Sequence, residues 1–161
     1  MIENLRRLLD AHPFFHGLAP AQVEVLVGCA SNRVLSAGAM LFTEGAPADQ
    51  FFLIRAGRVA LEVHVPHRGP LVFETRDDDG VLGWSWLIPP YRWHFDARAV
   101  TEVRFLAFDA VCLRGKMDAD SALGYALMQR FLPLVVERLQ ATRVRMLDLF
   151  GQPGAPGRLH G

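Results

Sequence analysis

The spacing of apolar residues along this chain changes twice. From Ile2 to about residue 30 it is helical: Leu5, Leu8 and Leu9 share one face, and Val23, Leu26 and Val27 another. His12-Pro13 separates the two runs. Pro20 suits the first position of the second helix, where an amide proton would have no partner anyway. From Asn32 to Phe108 the runs become short and are punctuated by Gly38, Gly45, Gly57, Gly69 and Gly80. Strands are predicted at Arg33–Leu35, Met40–Thr43, Phe51–Arg55, Val59–Val65, Leu71–Thr75, Phe95–Val100 and Val103–Phe108. Such spacing predicts a sandwich or barrel rather than alternating β-α units. Val59–Val65 alternates, so one face is expected to be buried and Glu62 and His64 to face solvent.

Helical spacing returns after Asp109. A short helix is predicted over Val111–Lys116, and Asp120 or Ser121 can cap a long one ending at Phe150. Pro133 is expected to break or kink it near Phe131 or Leu132. Beyond that point Val135, Val136, Leu139, Val144, Met146, Leu147 and Phe150 make a surface that needs cover. A matching helix from a second copy, giving a homodimer, is the simplest cover; docking on the chain's own barrel is the alternative. One domain over residues 1–150 is expected: helices over 1–30, a β-barrel over 32–108 and helices over 109–150. The Gly/Pro-rich residues 151–161 read as a disordered tail.

Composition narrows the function. The chain has 161 residues, 51% hydrophobic and 21% charged, which is an ordinary globular balance. Its 17 basic and 17 acidic residues cancel, which argues against DNA as the main partner. The first residues lack an apolar run fit for a leader or membrane span, so a soluble, cytoplasmic protein is expected. Cys29 and Cys112 lack metal-ligand spacing and read as reduced structural thiols. Asp77-Asp78-Asp79 lack the alternation of a calcium loop and read as a solvated turn. Gly83-Trp84-Ser85-Trp86-Leu87 lacks the second glycine of a hydrolase elbow, so no catalysis and no metal are expected.

The zones and motifs together resemble the cyclic-nucleotide-binding domain family, the type found in catabolite activator proteins and the regulatory subunits of cyclic-AMP-dependent kinase. The resemblance is carried by Ala37–Gly45 (AGAMLFTEG), Phe52–Val59 (FLIRAGRV), Asp79–Gly83 (DGVLG) and Ala97-Arg98-Ala99, and covers about residues 12 to 150. It implies a mainly β fold, a jelly-roll barrel with N-terminal helices and a long C-terminal dimerisation helix. It also implies a phosphate-binding cassette after Gly83, where the first amides of a short helix meet an anion. The family's cassette has a glutamate after that glycine and an arginine about ten residues on. Here Trp84 and Trp93 stand at those places.

Three readings of the cassette stay open. In one it takes an altered, nucleotide-like anionic ligand: Arg92 or His94 supplies charge, Ser85 and the amides of Trp84–Leu87 cradle the anion, and Trp84, Trp86, Tyr91 and Trp93 stack on a flat group. In another the ligand is an ordinary cyclic nucleotide, and in the third the aromatics fill the pocket and nothing binds. The resemblance also places Thr142 and Arg143 where the dimer helix meets the base; a solvated polar stripe is the alternative. The chain ends eleven residues after Phe150, short of a helix-turn-helix domain of about sixty residues, so direct DNA binding is not expected. A stand-alone sensor signalling through its last helix is the expected function. The alternative is a ligand-free accessory subunit docked on a larger enzyme, such as a redox enzyme of the nickel-iron hydrogenase kind.

Overall fold

The structure is a computed structural model describing residues 2–150. Two four-stranded antiparallel sheets face each other as a jelly-roll barrel. The first has the order β1 (Ala30–Leu35), β8 (Val103–Asp109), β3 (Gln50–Ala56), β6 (Val81–Leu82). The second has the order β2 (Met40–Phe42), β7 (Asp96–Ala99), β4 (Val59–Val65), β5 (Gly69–Arg76). Helices α1 (Ile2–Ala11), α2 (Pro20–Cys29), α3 (Ala110–Ala119) and α4 (Ser121–Phe150) flank the barrel.

Strand β3 shows why the layers stack this way. Phe51, Phe52, Leu53 and Ile54 are all buried, so both of its faces need apolar cover. Phe52 meets Phe42 and Phe105 inside the barrel. Phe51 stacks on Phe108 of β8 and meets Phe131 of α4 edge-on at 5.1 Å. The N-terminal segment closes the same cluster through Phe15 against Phe108 and Phe14 against Phe131.

All seven predicted strands are present, Val59–Val65 with the same bounds and the others longer or shorter by a few residues. Strand β6 was not anticipated; its two residues owe their place to pairing with Phe52 and Leu53. Glu62 does not face solvent. It is 4% exposed and accepts from Arg98 Nε at 3.1 Å, because a register shift between Leu61 and Glu62 interrupts the alternation. His64 is exposed. Asp120 Oδ1 caps α4 by accepting from the amides of Ala122 and Leu123.

Nor does Pro133 break α4, which is helical from Ser121 to Phe150. Buried Leu123, Leu127 and Phe131 pin the stretch before it to the barrel, so packing outweighs the one backbone hydrogen bond that proline removes. Residues 151–161, expected as a tail, lie outside the described residues. No helix among the described residues is long and apolar enough to cross a membrane.

Candidate functional site

The connection from β6 to β7 opens at Gly83, whose φ is +98°. A Cβ there would lie 2.7 Å from Trp93 Cη2, so Gly83 supplies both the turn and the room for an indole. One 3₁₀ turn follows over Ser85–Leu87, closed by Leu87 N donating to Trp84 O at 2.9 Å. The amides of Trp84 and Ser85 have no acceptor among the described residues. After the Pro89-Pro90 pair the chain turns at Tyr91 (φ +57°), and Trp93 is pinned by backbone bonds to Gly45 and Ala46.

The cassette aromatics separate into different surroundings. Trp86 is fully buried on the helix side of the first sheet, stacked on Phe51 and edge-on to Phe131. Trp93 lies inside the barrel, stacked on Phe42 with centroids 3.8 Å apart. Ser85 is buried and Leu87 half-buried. Tyr91 is covered by the Arg114 guanidinium, 4.1 Å from its ring centre. Arg92 is exposed and donates to the Gly45 carbonyl, and His94 is exposed. Thr142 and Arg143 are exposed far along α4, with Thr142 Oγ1 donating to the Arg138 carbonyl. Trp84 alone of the four aromatics meets a charged cluster.

Sequence reasoning missed that cluster. Arg138 of α4 lays its guanidinium 4.8 Å from the centre of the Trp84 ring and 5.7 Å from that of Phe95. Its Nη1 lies 3.2 Å from Glu74 Oε2, and Arg76 Nη2 lies 2.8 Å from Glu74 Oε1. The side chains of Arg138, Glu74 and Arg76 are 10%, 15% and 22% exposed, so these charges interact through poorly solvated space. Two guanidiniums face one carboxylate. Arg138 Nε and Arg76 Nε are buried without a hydrogen-bond acceptor, and Arg138 Nη1 meets Glu74 as an ion pair whose alignment falls short of a hydrogen bond. Loss of solvent lowers Arg138 to about 10, against the pull of Glu74 in the other direction. The cluster has surplus positive charge and spare donors, which is the chemistry that binds a phosphate or carboxylate.

The signals were in the spacing. Glu74 and Arg76 are two apart on β5 and share a face, while Arg138 and Thr142 are four apart on α4 and share another. Beside the cluster an apolar groove of about 370 Å³ runs between the cassette and α4, lined by Trp84, Leu87, Ile88, Tyr125, Met128 and Leu132 among others.

A jelly-roll barrel with a one-turn cassette between β6 and β7, set under a long helix, is the architecture that these elements build. The family model described as cyclic nucleotide-binding domain matches residues 32–120, and the chain belongs to that family. The chain is 24% identical over 145 residues to the CRP-like cAMP-activated global transcriptional regulator of Mycobacterium tuberculosis, covering 90% of this chain and 62% of that regulator. It thus spans under two thirds of that relative's length. A cyclic nucleotide-binding domain from Methylobacillus flagellatus KT superposes with a TM-score of 0.75 at 19% identity, covering 96% of this chain and 86% of the other. The Thermus thermophilus catabolite activator protein gives 0.67 at 21% identity, over 86% of this chain and 63% of the other. These two likenesses bear on the fold.

Proposed function

We propose that this domain is a sensor module that takes a nucleotide-like, anionic ligand between Trp84, β5 and α4, and signals through α4. The carrying observation is Arg138: a buried guanidinium with an unpartnered Nε–H and a misaligned ion pair to Glu74, stacked under Trp84 and borne by the output helix. An anion there gains hydrogen bonds that Glu74 leaves unmade, and Arg76 adds a second cation on the barrel side. Trp84 offers a face for a base. Because the anion partner sits on α4 itself, occupancy biases the helix position directly, as a population shift between two placements.

The test is thermal shift and tryptophan fluorescence with cyclic AMP, cyclic GMP, cyclic dinucleotides, NAD(P) and inorganic pyrophosphate. At least one should raise the melting temperature. Arg138→Ala should weaken that ligand by about tenfold or more, the loss of a charge-assisted hydrogen bond. No response to any of them at millimolar concentration overturns the ligand reading.

That outcome would support the second reading, a ligand-free accessory subunit for a larger enzyme. It is favoured by Trp93, which stands where the family arginine is expected and fills the barrel interior against Phe42. Under this reading Arg138 is a built-in occupant of its own pocket.

We also propose that α4 pairs with α4 of a second copy. The face turned away from the barrel carries Tyr125, Met128, Leu132, Val135, Leu139, Thr142, Met146 and Leu149, alternately three and four apart. That is a seam of two-stranded coiled-coil type. Leu139→Glu should sediment as a monomer at concentrations where the unaltered protein is a dimer. A monomeric unaltered protein at tens of micromolar would sink this idea.

A further inference from the structure

Cys29 closes α2 and Cys112 lies in the first turn of α3, 83 positions apart, yet their Sγ atoms are 3.3 Å from each other. Both are free thiols. They line a cavity of about 830 Å³ that also borders Ser31, Gln50, Trp93 and Asp109, so a small solute can reach them. We propose that Cys29 and Cys112 form a dithiol–disulfide pair whose oxidation clamps α3 to the end of α2. This proposal concerns a different place from the cassette and does not rest on a ligand.

The two sulfurs are not equivalent. Cys29 is 8% exposed and donates its S–H to Cys112, which is more open. Burial pushes the Cys29 thiol from 9.0 up to about 12, with the Cys112 contact adding to the shift, so Cys29 keeps its proton. Cys112 therefore meets the oxidant, for which a hydroperoxide serves. Its sulfur attacks one peroxide oxygen, the O–O bond breaks, and the other oxygen leaves with a proton as water or an alcohol. Cys29 then attacks the sulfur of the resulting Cys112 sulfenic acid, the S–O bond breaks, and the hydroxyl departs as water with the Cys29 proton. Two thiols have lost two protons and two electrons, all taken by the hydroperoxide. The proton held by Cys29 makes the second step the slow one.

The clamp has somewhere to act. Two residues past Cys112, Arg114 Nη1 donates to the carbonyls of Trp86 at 2.9 Å and Ala48 at 3.3 Å, with its guanidinium over Tyr91. Helix α3 thus holds the cassette turn from below and leads through Asp120 into α4. A bond at its first turn narrows the positions open to all three.

Reduced protein is treated with a small molar excess of hydrogen peroxide and followed by intact mass and thiol titration without reductant. A single chain lighter by about 2 Da should form, both thiols vanishing together and returning with dithiothreitol. Its melting temperature should rise by about 5–10 °C, since the new bond closes a long loop in the unfolded chain. Cys112→Ser and Cys29→Ser should each leave one thiol, with no mass loss and no rise. Thiols that persist under excess peroxide, a disulfide only between chains, or oxygen added with no crosslink would each overturn the pair; the mass measurement on unaltered protein decides this even if a variant fails to fold.

Discussion

Trp86→Ala should destabilise the domain by about 3–5 kcal/mol, the range for deleting a large aromatic from a packed core. In a chain of this size that corresponds to a melting temperature lower by about 10 °C or more. Trp86 is fully buried, stacked on Phe51 with centroids 5.2 Å apart and edge-on to Phe131 at 5.3 Å. Its ring is the piece of the cassette that touches both β3 and α4. Removing it leaves a cavity where three elements meet, and none can close it without moving the others. Trp86→Phe keeps most of the stack and should cost less than half as much. Urea unfolding of both variants checks this. Equal losses would mean that the ring is not what joins cassette to helix.

Glu74→Ala should cost about 3 kcal/mol, because it strands two guanidiniums in poorly solvated space with no counter-charge. The direction of the Arg138 shift already shows that this cation is held at a cost which Glu74 offsets. Two comparisons separate charge from packing. Glu74→Gln keeps the shape and loses the charge, so it should fall close to Glu74→Ala. The double variant Glu74→Leu/Arg138→Met removes carboxylate and nearest cation together and should be more stable than Glu74→Ala alone. Chemical denaturation of the three proteins is the measurement. A Glu74→Gln variant as stable as the unaltered protein would mean that solvent screens the cluster.

The barrel was legible because strands such as Val59–Val65, with Gly57 and Gly69 beyond its ends, and Val103–Phe108 are built from residues that suit a pleated, half-buried surface. What was not legible depends on partners distant in sequence. Strand β6 is too short to have a pattern and exists through its pairing with β3. The burial of Glu62 needs both the irregularity beside it and Arg98 on the neighbouring strand. The helix survives Pro133 because the stretch before it is held by the barrel, a tertiary cause that propensity cannot register. The cassette was found by its aromatics, but its four rings look alike in sequence and divide only by surroundings: Trp86 and Trp93 in the core, Tyr91 under Arg114, Trp84 under Arg138. The cations that the sequence offers are Arg92 and His94 in the cassette and Arg143 on the last helix, all three exposed. The guanidinium in contact with the cassette indole arrives from α4, more than fifty residues later.

Helix α4 runs on through Pro133 as one continuous helix, yet its two ends have different loyalties. Before Pro133, Leu123, Leu127 and Phe131 melt only when the barrel melts. From Leu139 to Phe150 every residue is exposed, so those turns gain nothing from their own domain. A solitary helical end of that length is marginal in water. Any order beyond that margin has to come from a neighbour, and amide exchange along α4 would record the boundary between what the chain supplies for itself and what company would supply.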